Sequence, residues 1–164
     1  LADLMTNPLR QDDLPHIEAI IALCVKAKAK IVSADERESG VRALLNFGHT
    51  FGHGIELCSE FSVKHGMAVS IGMALMMRAA FKNGHISETE LNNFLNLLAA
   101  HNLPTNTTIS IDELLEAALH DKKSHGQTIT IIYPTRWGQC ELRTIPHSEL
   151  AHYAIKEVKH HGAN

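Results

Sequence analysis

Two histidines four residues apart, His49 and His53, and a third downstream, His65, are the residues best suited to chemistry in this 164-residue chain. Histidines at i and i+4 on a helix present two imidazoles to one cation. A plain H-x-x-x-H pair also arises by chance, but this one belongs to a longer polar stripe. Glu38, Arg42, Asn46, His49, His53 and Glu56 follow at steps of four, four, three, four and three. Such steps return to one side of a helix. Arg42 adds a rigid fork for phosphate or carboxylate, and Glu38 a carboxylate able to move protons. Metal-dependent chemistry on a small anionic substrate is what these residue types and spacings predict.

The elements that must position these groups follow from the same pattern. Leu44, Phe47, Phe51, Ile55 and Cys58 form an apolar stripe of equal spacing, so one helix from Glu38 to Glu60 is expected, with a packing face and an ionisable face. An ordinary solvated face carries Lys, Glu and Gln, whereas this one carries His, Asn and Arg with Gly48, Gly52 and Gly54 among them. Each Gly costs a helix about 1 kcal/mol relative to Ala, so close approach of a ligand or another backbone is expected there. A helix from about Gly66 to Phe81 is small-residue and apolar all round, the pattern of a central buried helix. His65 then stands at its N-terminus, where the helix dipole disfavours imidazolium and keeps the ring in the form a metal needs.

Upstream, a helix is expected to start near Pro15, with Ile17, Ile20, Ile21, Cys24 and Ile31 as its stripe. Lys28 falls on that stripe, and periodicity leaves two readings open: a snorkelling stem, or a cation aimed at an anionic ligand. Downstream, Ser87 to Glu90 and Ser110 to Glu113 are capping boxes opening two structural helices. A basic turn, Asp121-Lys122-Lys123, follows the second. Thr128 to Tyr133 and Gln139 to Thr144 read as two strands joined by a turn over Pro134 to Gly138. A last helix is expected from Ser148 to His160, packing Leu150, Ala154 and Val158. The fold class is mainly α, a multi-helix domain with one small β-hairpin, expected as a single domain over residues 1–164.

Composition narrows the function classes. A 45% hydrophobic share, a 20% charged share and a formal charge of -3 describe a globular chain. No basic excess points to nucleic acid or an anionic membrane. The apolar run from Met67 to Phe81 is broken by Ser70, Gly72 and Arg78 and reads as a buried helix. Cys24, Cys58 and Cys140 have no C-x-x-C pairing and are expected to be free buried thiols in a reducing, cytoplasmic compartment. No G-x-G-x-x-G follows a strand, so no dinucleotide fold of its own is expected. The chain opens on Leu1 without an initiator Met or a signal-peptide pattern, as expected of a fragment or a processed chain.

The run D-E-R-E-S-G-V-R-A-L-L-N-F-G-H-T-F-G-H-G-I-E, followed by K-H-G-M-A-V-S-I-G-M, closely resembles the signature of 3-dehydroquinate synthase. The later D-K-K-S-H-G before a hairpin also fits, and the resemblance covers nearly the whole chain as that enzyme's C-terminal, α-helical metal- and substrate-binding domain. It implies closure of 3-deoxy-D-arabino-heptulosonate 7-phosphate to 3-dehydroquinate with loss of phosphate, in the shikimate pathway, using NAD and zinc or cobalt. Carried over by residue, it makes His49 and His65 metal ligands and His53 a substrate-side acid/base rather than a third ligand. Glu38 becomes a second proton-handling residue, and Lys28, Arg42, Asn46 and Lys122, or else Lys123, substrate contacts.

Two departures accompany the resemblance. The family's third metal ligand, a Glu, would lie upstream of Leu1 together with the N-terminal NAD-binding domain. Met67 stands where the family commonly has Glu. The expectation is therefore a synthase domain inactive alone and a homodimer at full length. Another sugar-phosphate cyclase or a non-catalytic metal-binding module are the alternatives.

Overall fold

The computed structural model describes residues 8–10, 12–37, 40–120 and 126–157. In order, these form α1 (Leu14–Ala34), a 3-10 helix (Val41–Asn46), α2 (His49–Cys58) and α3 (His65–Lys82). There follow α4 (Glu88–Ala100), α5 (Ile111–His120), β1 (Thr128–Arg136), β2 (Gln139–Pro146) and a second 3-10 helix (His147–Tyr153). The mainly helical fold with one hairpin is as expected.

The expected central helix is α3. Ala68, Ile71, Ala74, Leu75 and Ala79 are buried along it, and even Ser70 and Arg78 are covered. Both polar groups find backbone acceptors: Ser70 Oγ donates to the Pro104 carbonyl at 2.9 Å and Arg78 to the Thr105 carbonyl at 2.8 Å. α2 and α5 pack together on one flank, with Phe51, Ile55 and Leu114 fully buried between elements. The hairpin closes another, where the Tyr133 hydroxyl accepts from Asn83 and the Arg143 guanidinium lies 4.1 Å over the Tyr133 ring.

The helix expected from Glu38 to Glu60 is instead two elements. After the 3-10 helix, Phe47 is extended and Gly48 takes the left-handed conformation at φ 81 before α2 begins. Arg42 and Asn46 therefore do not share a helix with His49 and His53. The cause is the crossing of α2 over α3. A Cβ on Gly72 would fall inside contact distance of the Gly48 carbonyl oxygen and 3.0 Å from the Gly52 nitrogen. A Cβ on Gly52 would lie 3.1 Å from the Val69 Cα. These glycines answer to a neighbouring backbone.

α1 also departs from expectation. Asp13 caps it by accepting from the His16 amide at 3.2 Å, and Pro15 sits in its first turn. No residue on it is buried, however, and Ile21 and Cys24 of the expected stripe are exposed. The pattern predicts a face, but the described residues supply little to cover it. α1 is tied at its ends instead. The Leu9 amide donates to His101 Nε2 at 3.2 Å before it, and Asp35 follows it. The Asp35 carboxylate accepts from the amides of Gly40 at 2.8 Å and Arg42 at 3.0 Å, which starts the 3-10 helix.

Three smaller corrections follow. Cys24 and Cys58 are exposed and Cys140 is half-buried, so the cysteines are free but not buried. The expected helix from Ser148 is a 3-10 turn that leaves helical geometry at Ala154. That path buries Leu150, Tyr153 and Ala154 together and lets Lys156 donate to the Ile109 carbonyl; Val158 and His160 lie outside the described residues. The strands run longer than expected, because β1 continues through Pro134 by a bulge and only Trp137 and Gly138, at φ 74, make the turn.

Two predictions follow from this packing. Gly72→Ala should lower the urea-unfolding free energy by about 1–3 kcal/mol through overpacking of the α2–α3 crossing. Gly66→Ala, with open space at its Cβ, should leave it unchanged or raise it; equal loss in both variants would refute the crossing as the cause. Both capping boxes are formed, and hydrogen bonds from Ser87 and Ser110 hold the Glu90 and Glu113 carboxyls below the ordinary carboxylate range. A folded-state value below the unfolded one gives stability that is full above the ordinary carboxylate value and drains as pH falls through the lowered value. Glu113→Gln should therefore flatten the acid limb of the stability profile measured by circular dichroism.

Candidate metal and acid/base centre

The crossing of α2 over α3 brings three histidines together from two elements. His49 is the first residue of α2, His53 lies one turn on, and His65 is the first residue of α3. Their ring centroids are 5.5 Å apart for His49 and His53, 5.2 Å for His49 and His65, and 6.0 Å for His53 and His65. The three imidazoles singled out from spacing thus meet at one place, and His65 holds the helix-start position expected of it.

Glu56, one turn beyond His53, completes the group. Each of its carboxylate oxygens lies 3.1 Å from His65 Nδ1. His53, Glu56 and His65 offer donor atoms all within 4.8 Å of one another, which makes them a candidate cation site among the described residues. Imidazole nitrogens with a carboxylate oxygen are a donor set suited to zinc or cobalt, so the residues present fit a divalent metal. This trio includes Glu56 and not His49, whereas the resemblance assigns His49 and His65 as ligands and His53 as an acid/base.

The rings differ in environment. His49 is half-buried, and desolvation pushes its pKa below the ordinary histidine value. The Phe47 carbonyl, 3.4 Å from Nδ1, partly offsets this, while the neighbouring His53 and His65 add to the lowering. A ring so held stays neutral at neutral pH, as a metal ligand must. His53 and His65 are exposed. Beside His53 and Glu56 opens a cavity of about 290 Å³, lined also by Thr50, Phe61, Ala117 and His120.

The remaining site residues are more dispersed. Arg42 and Asn46 are half-buried on the first 3-10 helix, and Arg42 donates to the Glu36 carbonyl at 2.8 Å. Lys28 is exposed on α1, the helix that packs on that 3-10 helix. Glu38, Lys122 and Lys123 lie outside the described residues. Met67 is exposed, two residues after His65. Thr50 and His120 were not singled out from sequence, since nothing in their spacing tied them to the histidines. Glu56 was legible on the stripe, three residues after His53, but its pairing with His65 depends on the crossing.

Known proteins are similar to this chain in sequence and share its fold. The family model described as 3-dehydroquinate synthase C-terminal matches residues 1–124. The curated 3-dehydroquinate synthase of Pseudoalteromonas translucida is 39% identical over 137 residues, covering 82% of this chain and 38% of that protein. That of Sulfolobus acidocaldarius is 35% identical over 166 residues, covering 95% and 46%. Among solved structures, 2-deoxy-scyllo-inosose synthase complexed with carbaglucose-6-phosphate, NAD+ and Co2+ superposes with a TM-score of 0.70. That match is 22% identical and covers 90% of this chain and 45% of that one. The 2-epi-5-epi-valiolone synthase of Streptomyces hygroscopicus with NAD+ and Zn2+ also gives 0.70, at 23% identity, covering 82% and 38%. The fold is one that this chain shares with those two synthases. The chain itself belongs to the 3-dehydroquinate synthase family, and it spans less than half the length of these curated relatives.

Proposed function

We propose that this chain is the metal- and substrate-binding domain of a 3-dehydroquinate synthase, converting 3-deoxy-D-arabino-heptulosonate 7-phosphate to 3-dehydroquinate and phosphate in the shikimate pathway. The observation that carries this reading is the convergence of His49, His53 and His65 within a stretch matched to that family. In this reading His49 and His65 hold the divalent metal, zinc or cobalt. When bound, the metal supplies a Lewis-acid centre for substrate oxygens. NAD, held by an N-terminal nucleotide domain, supplies the hydride acceptor.

The chain's own residues then orient substrate and move protons. His53 is exposed at the cavity mouth and takes and returns a proton at an imidazole nitrogen. Glu38 is the second proton-handling residue, at a carboxylate oxygen. Arg42, Asn46, Lys28 and Lys122, with Lys123 as the alternative to Lys122, hold the anionic and hydroxyl groups. Three free cysteines support a reducing, cytoplasmic setting, and the family relationship supports a homodimer at full length.

Zinc titration of the chelator-stripped chain by calorimetry separates these roles. His49→Ala and His65→Ala should abolish a single weak site that His53→Ala retains. Equal loss on all three would mean a three-histidine site and overturn the assignment of His53. With the nucleotide domain restored, His53→Ala should lower the rate of phosphate release about 10²–10⁴-fold. The isolated chain with NAD and substrate should release none; release by the chain alone, or turnover of a different phosphorylated sugar only, would refute the reading.

A further inference from the structure

Glu56 and His65 form a pair that the assigned roles leave unexplained. A carboxylate only accepts hydrogen bonds, so a neutral His65 facing it must carry its proton on Nδ1. Both Glu56 oxygens are 3.1 Å from that one nitrogen. The carboxylate is the sheltered partner, with its side chain 15% exposed against 56% for His65. It is also firmly based. The Glu56 carbonyl accepts from the Phe61 amide at 2.8 Å and from Ser59 Oγ at 3.1 Å. Glu60 and Phe61 both hold left-handed backbone, at φ 50 and 60, to close the end of α2 in this way. Non-glycine residues at positive φ are costly, so the turn that fixes Glu56 is an imposed one.

We propose that Glu56 is a positioning residue that locks His65 in the Nδ1–H tautomer and leaves Nε2 as the ring's only lone pair for a cation. The proposal rests on the reading of His65 as a metal ligand. Carboxylates that receive the far N–H of a metal-bound histidine fix its orientation and raise its basicity. With both oxygens on His65, Glu56 acts through that ring rather than as a ligand itself. His65 begins α3 and Glu56 lies in the last turn of α2, so the pair also links the two helices at the site.

The test has two arms. Two-bond proton–nitrogen correlation spectra of the metal-free, histidine-labelled protein at mildly alkaline pH should show His65 as the Nδ1–H tautomer. Glu56→Gln, which keeps an acceptor oxygen, should retain it, and Glu56→Ala should shift it toward the Nε2–H form usual in water. An Nε2–H ring in the parent protein would overturn the proposal. In the second arm, zinc affinity should fall about 10–100-fold in Glu56→Ala, less in Glu56→Gln, and be lost in His65→Ala. Complete loss in Glu56→Ala, matching His65→Ala, would make the carboxylate a ligand and refute the positioning role. Undiminished binding in His65→Ala would overturn the metal assignment, while the spectra still judge the pair.

Discussion

The site depends on a contact between backbones. Gly48, Gly52 and Gly72 let α2 lie against α3 closer than any side chain allows, and at Gly72 the added atom would meet a carbonyl oxygen. That approach brings His49 and His53 from one helix within an imidazole's width of His65 on the other. A spacing set by main chain has little slack, because neither helix can slide without losing its interlock. The buried length of α3 then anchors the whole arrangement, since α2, α4, the hairpin and the second 3-10 helix all pack on it.

The electrostatics of the cluster follow from that spacing. Burial holds His49 below the ordinary histidine value, and its neighbours His53 and His65 add to that lowering. Glu56 is the opposite charge set among them, paired with the exposed ring of His65. Burial holds one ring neutral and a hydrogen bond orients another, while His53, at the cavity mouth, remains open to solvent. The physical environments of the three residues thus differ although their sequence contexts look alike.

What was legible in the sequence was local. The capping boxes at Ser87 and Ser110 each contain their own partner, and both form. The hairpin and the apolar α3 are also strong short-range patterns. The break at Gly48 was not legible, because steps of three and four continue across it from Asn46 to His49 as they would along an unbroken helix. The stripe expected on α1 is covered only in part, with Ile17, Ile20 and Ile31 half-buried and Ile21 and Cys24 exposed, because an amphipathic pattern does not say what covers it. The spaced histidines were found, whereas Thr50, His120 and the role of Glu56 belong to contacts between elements.

Asp35 carries a consequence of its own. Its amide closes the end of α1, while its carboxylate receives the amides of Gly40 and Arg42. Lys28 stands about 10 Å up the helix from it, at 1.5 Å per residue, and Arg42 lies one short loop beyond. No residue of α1 is fully buried, so this aspartate, bonded across the join, helps set the separation between these two cations. The separation of the two cations is tied to a small acid that belongs to neither, and a chain that kept both charges but lost this link would keep the ingredients without their spacing.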